Sequence, residues 1–138
     1  MSLQTLIGLW ICRSVCLIFG LLEVRGCYIH LTTETWSPHA QFHALTGMFF
    51  YVGLSIAFFH ITGKPFRERQ WSAWLALPLM GFFVHGGQII TDALTEGLRA
   101  GGTSQGKGHL FFYLAILAFV LYLIGSVMTL SHFKNKDE

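Results

Sequence analysis

The chain has 138 residues, 53% of them hydrophobic, 15% aromatic and 12% charged, with a formal net charge of +2. A soluble domain carries about 25% charged residues, so the composition excludes a disordered chain and points to a lipid bilayer as the solvent. The small charge balance, with Lys and Arg scattered rather than striped, excludes a nucleic-acid surface.

The first apolar segment, residues 3–24, follows an N-terminus without the basic region of a cleavable signal and reads as mature sequence. Arg13 lies deep within it. Cys12, Cys16 and Cys27 lie in it or just past its end, with no C-x-x-C and no cysteine elsewhere to pair with. They read as buried thiols, not as a disulfide framework. A connector from Tyr28 to Phe42, containing Pro38, leads to a second segment at residues 44–61. The basic turn Thr62 to Gln70 leads to a third at 71–90, and the Gly-rich link Gly97 to Gly108 to a fourth at 110–130. Each is close to the roughly 20 residues that cross about 30 Å of hydrocarbon. Polar and helix-breaking connectors predict four separate helices: an all-α, integral membrane four-helix bundle, with residues 1–138 as a single domain.

An even number of spans puts both termini on one face. That face also carries Lys64, Arg67, Arg69, Lys134 and Lys136, against Arg25, Arg99 and Lys107 on the other, so the positive-inside rule makes the termini cytoplasmic. His30, His39, His43 and His109 then gather at the non-cytoplasmic end with Glu23, Asp92 and Glu96. His85 lies just past the middle of the third span toward that end, and His60 and His132 lie at the other.

Ionisable side chains in a bilayer are costly enough to need a partner or a task. At helical spacing Gly81, His85, Gln88, Asp92 and Glu96 form one polar stripe on the third helix. His39 and His43, with Thr46 and Phe50, share a face at the start of the second. Arg13, Cys16, Gly20, Glu23 and Cys27 share a broader face of the first. All three faces are expected to turn inward, either as mutually satisfied structural groups or as a site. Histidines at i and i+4 can meet one metal ion, so a non-haem metal centre and a haem with one axial histidine are both open. The sequence has no H-E-x-x-H of zinc peptidases and no set of His-rich boxes of membrane di-iron hydroxylases. Ser37 and Ser55 have no obvious adjacent base for nucleophilic catalysis.

The run Trp36-Ser-Pro-His-Ala-Gln-Phe-His43-Ala-Leu-Thr-Gly-Met48 resembles the start of the second helix in the styrene oxide isomerase family of small four-helix membrane enzymes. Gly106-Lys-Gly-His-Leu-Phe-Phe-Tyr-Leu-Ala115, continuing to Gly125-Ser-Val-Met128, is similar to that family's Gly-rich lead into its last helix. The resemblance covers the four-span layout and these two motifs. The Trp-x-Pro-His-Ala-x-Phe-His string also resembles a group of small four-span bacterial proteins of uncharacterised function, which implies a bacterial inner membrane.

The isomerase resemblance implies a homotrimer that binds haem b through a histidine near the start of the second helix, here His43 or, one turn earlier, His39. Ferric iron would act there as a Lewis acid on an epoxide oxygen, and the ring would open with a 1,2-shift to an aldehyde. Thr46 stands where the family has an asparagine, and the third helix carries His85, Gln88 and Asp92 instead of the family's tyrosine. These four are the candidate catalytic residues: Thr46 to hydrogen-bond a substrate oxygen, Asp92 or His85 to supply a proton or an orienting contact.

An apolar small molecule such as an aryl epoxide partitions into the bilayer, and a cavity among Phe42, Phe49, Phe50, Phe82 and Phe83 would accept it from the side. A Lewis acid or proton donor would polarise its oxygen while water is kept from a carbocation-like centre. The 13 Phe residues also read as packing and lipid contact, and Trp10, Trp36, Trp71 and Trp74 as packing or interface anchors. The competing class is a non-catalytic accessory or assembly subunit of a larger membrane complex, packed against its neighbours through Gly47, Gly53, Gly81, Gly86 and Gly87.

Overall fold

The computed structural model describes residues 1–32, 37–91, 93 and 108–134, without the side chains of residues 30 and 108–111. Its helices are α1 (Leu3–Thr32), α2 (Pro38–Ile61), the single turn α3 (Lys64–Arg67), α4 (Trp71–Met80) and α5 (Gly108–Lys134). The rod begun by α4 continues through a π-helical segment, Gly81–Gly86, as far as Thr91. Four rods are long and apolar enough to cross a membrane, and together they make an all-α four-helix bundle.

The helices outrun the apolar segments. α1 passes Glu23 and Arg25 to reach Thr32, because a polar residue ends an apolar run without ending a helix; the Thr32 hydroxyl donates to the Tyr28 carbonyl at 3.0 Å. α2 begins at Pro38 rather than at residue 44. Proline at the first helical position loses nothing by lacking an N–H, and Ser37 caps the helix by accepting the Ala40 N–H at 3.2 Å. In the third rod Pro78 has no N–H to offer the Trp74 carbonyl, and the helix widens to π geometry three residues later.

Close approach of small residues organises the bundle. A Cβ on Gly8 of α1 would stand 2.8 Å from the Gly125 carbonyl oxygen of α5, and one on Gly125 would stand 2.6 Å from the Gly8 carbonyl oxygen. Their bareness lets the two backbones touch, as helices held by van der Waals packing in a bilayer require. The third rod meets α5 in the same way at Gly81, where a Cβ would come within 2.6 Å of Tyr122 Cβ, and through Trp74, whose Nε1 donates to the Ser126 carbonyl at 3.0 Å. Phe66 of α3 is fully buried and stacks on His132, with ring centroids 5.6 Å apart, which pins the basic turn to the end of α5.

Arg13, the deep cation of α1, is tied to the end of α2. Its Nε donates to Thr62 Oγ1 at 3.2 Å and its Nη2 to the Thr62 carbonyl at 2.5 Å, and the guanidinium lies over the Trp10 and Phe59 rings. A cation there satisfies an orphan carbonyl and complements the negative end of the helix dipole, so Arg13 has a structural task. Even so, α2 is the least embraced rod: 11% of its most apolar stretch is buried, against 33% for each of the other three.

Candidate functional site

His85 is fully buried in the π-helical segment. It lies between Phe19 of α1, at a centroid distance of 4.5 Å, and Tyr122 of α5, at 5.5 Å. Among the described residues neither of its ring nitrogens has a hydrogen-bond partner, nor does the buried hydroxyl of Tyr51, and the hydroxyls of Ser55 and Tyr122 have only the Cys16 thiol beside them. Ser55 and Tyr51 both border Gly20, and Tyr51 is within electrostatic reach of Glu23. The four rods therefore assemble a line of polar groups from His85 to Tyr51 through an otherwise apolar core, with the exposed Glu23 at its end. Each buried polar group without a partner costs about 1–3 kcal/mol, and folded proteins keep such groups few.

That cost gives a test. His85→Phe keeps the ring volume and removes both unpartnered nitrogens, so it should raise the unfolding free energy by about 1–3 kcal/mol, the opposite sign to most core substitutions. Denaturant unfolding in mixed micelles measures it. A fall of similar size would mean that the imidazole is satisfied in the membrane.

Beside this line lies a cavity of about 250 Å³, bounded by Phe19, Leu22, Glu23, Gly26, Cys27, Ala44 and Gln88. Its walls are mainly apolar, with the Glu23 carboxyl and the Gln88 amide contributed from two different rods. Phe19 touches both the cavity and His85. The stripe read on the third helix is thus turned inward through Gly81, His85 and Gln88; Asp92 and Glu96 lie outside the described residues.

The second polar grouping is elsewhere. His39 and His43 lie in the first two turns of α2, both exposed, with Nε2 atoms 3.1 Å apart and rings nearly perpendicular at 89°. The inward turn expected for this face does not occur, since His39, His43, Thr46 and Phe50 all look away from the bundle. α2 instead presents Tyr51, Ser55, Phe58 and Thr62, spaced at i, i+4, i+7 and i+11, to its neighbours. Tyr51, Phe58 and Thr62 are buried, and Ser55 is half-buried with its hydroxyl enclosed. That spacing was the available signal for the Tyr51 and Ser55 part of the polar line, which the sequence reading missed along with Tyr122.

Two further expectations change with this rotation. Thr46 and His43 do not share surroundings with His85 and Gln88 in one chain, so Thr46 has no place at the cavity. Phe42, Phe49, Phe50, Phe82 and Phe83 are 54–70% exposed on the outer surface, and Phe19 supplies the cavity's ring instead. The two histidines expected to hold haem, His43 and His39, are both exposed at the start of α2, with their Nε2 atoms hydrogen-bonded to each other. Among the described residues no three His, Cys, Asp or Glu side chains converge on one point that could hold a metal ion.

Comparison with protein-family models, with curated proteins and with solved structures finds no match to this chain. Its functional reading therefore rests on the chemistry of its own residues.

Proposed function

We propose that the chain is a membrane-embedded isomerase that rearranges an apolar epoxide to a carbonyl compound in the cavity bounded by Phe19, Glu23 and Gln88. One observation carries the reading: a mainly apolar chamber at the level of the spans bordered by Glu23, Gln88 and Phe19. A substrate dissolved in the bilayer reaches such a chamber without crossing water.

The residues divide the work as follows. Glu23 in its acid form gives a proton to the epoxide oxygen, and the Gln88 amide N–H steadies that oxygen. The carbon–oxygen bond at the aryl-bearing carbon breaks, its electron pair passing to oxygen. A hydride then migrates to the electron-poor carbon from its neighbour, the carbonyl forms at that neighbour, and the hydroxyl proton returns to Glu23. Substrate and product are isomers, so no co-reactant is consumed. Phe19 offers its face to the cationic centre, an attraction worth about 0.5–2 kcal/mol, while His85 packs against that ring and positions it. The apolar walls keep water from the cation and so suppress diol formation.

Purified protein in lipid nanodiscs, given phenyl epoxide, should yield the aldehyde, and Gln88→Leu should slow the conversion by about 100-fold. No aldehyde above a no-protein control would remove the proposal. A second reading, a non-catalytic assembly subunit, draws on the exposure of α2. It is favoured by co-purification with other chains in fixed ratio together with absent turnover.

The proposed setting is a bacterial inner membrane with both termini cytoplasmic, on the strength of the basic residues 62–70 and the tail. On a background without native cysteines, Ser37→Cys should react with a membrane-impermeant maleimide added outside the cell and Lys64→Cys should not. The reverse pattern would invert the topology.

A further inference from the structure

The spacing of His39 and His43 suits a small ion. Two imidazole nitrogens bound to one tetrahedral zinc at 2.0–2.1 Å stand about 3.3 Å apart, and the Nε2 atoms of His39 and His43 are already 3.1 Å apart. They come from one helix at i and i+4, so the backbone fixes their spacing, and both are exposed at the start of α2. A small rotation of two exposed rings turns the hydrogen-bonded pair into a bidentate chelate. One chain supplies two such ligands, and the described residues bring no third to them.

We propose that His39 and His43 form half of a four-imidazole site for a divalent transition metal, zinc being the best fit, which is completed by the same two residues of a second copy of this chain. Every copy inserts in the membrane with the same orientation, so a two-fold axis along the membrane normal brings equal depths together. The face that carries the histidines continues along α2 through Thr46, Phe50, Gly53 and Ala57, all exposed, and Gly47 flanks it. Among the described residues nothing stands within 4 Å of a Cβ built on Gly47 or Gly53, so the surface is low enough for two helices to approach closely. This is also the rod with the least of its span buried within its own chain. Four neutral imidazoles fill zinc's tetrahedral shell but leave its double positive charge uncompensated, which the exposed position in the first turns of α2 keeps at the end of the span. The proposal stands apart from the isomerase reading, which uses Glu23 and Gln88 on other surfaces.

The full chain, purified in detergent micelles and treated with a chelator, is titrated with zinc alone while its mass is followed by light scattering and its metal content by elemental analysis. The expected result is a dimer holding one zinc per two chains. His39→Ala and His43→Ala should each weaken binding by more than about tenfold and leave a monomer at zinc concentrations that dimerise the wild type. Gly53→Phe, at an open position where folding is not threatened, should block the dimer and with it the tight site while both histidines remain. Any of four results would overturn the proposal: one zinc per monomer, a trimer, zinc uptake indifferent to both histidine substitutions, or a Soret band from supplied haem that is lost in His43→Ala.

Discussion

Gly125→Ala should be the most damaging single methyl in the molecule. A Cβ at that position would fall against Cys12 Sγ and 2.6 Å from the Gly8 carbonyl oxygen, and a backbone oxygen cannot rotate aside as a flexible side chain can. α1 and α5 would have to separate along the contact that anchors the bundle, at a cost of about 1–3 kcal/mol or more. Gly8→Ala should act alike, because its Cβ would meet Met128 Cβ at 2.7 Å and the Gly125 carbonyl oxygen at 2.8 Å. Gly53→Ala and Gly47→Ala, with no described residue within 4 Å, are the controls. Unfolding midpoints in mixed micelles compare the four. Equal midpoints for Gly125→Ala and Gly53→Ala would show that the α1–α5 crossing is looser than described here.

Glu23→Gln should abolish nearly all turnover while leaving the fold intact. The substitution keeps the shape of the side chain at the cavity and removes its transferable proton, and positioned acid catalysis contributes about 10²–10⁴-fold in rate. Because Gln88 and the apolar walls remain, the loss should fall on kcat, with KM changed little. A variant that keeps more than a tenth of wild-type kcat would take the acid role away from Glu23.

The fold was legible to the extent that it follows from apolar length. Four segments of the right size gave four spans, and their order gave the bundle. The helix ends were less visible, since apolarity reports the membrane and not the backbone. Pro38 falls in the connector expected from Tyr28 to Phe42, whereas a capping hydroxyl followed by proline at the first helical position is a start. The third-helix stripe could be read because His85 and Gln88 have few apolar rivals on that face. The second-helix stripe could not, because two candidate faces compete. Histidine periodicity favoured turning His39 and His43 inward, but Tyr51, Phe58 and Thr62, at spacings of seven and four, bring more contact surface and a hydrogen-bond partner for Arg13. Packing decided between them. Gln88 was anticipated as a site residue, whereas its meeting with Glu23 and Phe19 depends on how three helices rotate against one another, which no single-helix period encodes.

The central claim is an intramolecular rearrangement in a mainly apolar chamber among the spans. Phenyl epoxide carrying deuterium at both positions of its CH2 carbon tests it most directly, with the purified protein in nanodiscs and the product read by mass spectrometry and proton NMR. The account predicts phenylacetaldehyde with one deuterium on the carbonyl carbon and the other moved to the benzylic carbon, and no oxygen taken from ¹⁸O-labelled water in the first turnovers. A diol carrying solvent oxygen, or an aldehyde whose benzylic carbon holds solvent hydrogen in place of the migrated deuterium, would contradict it.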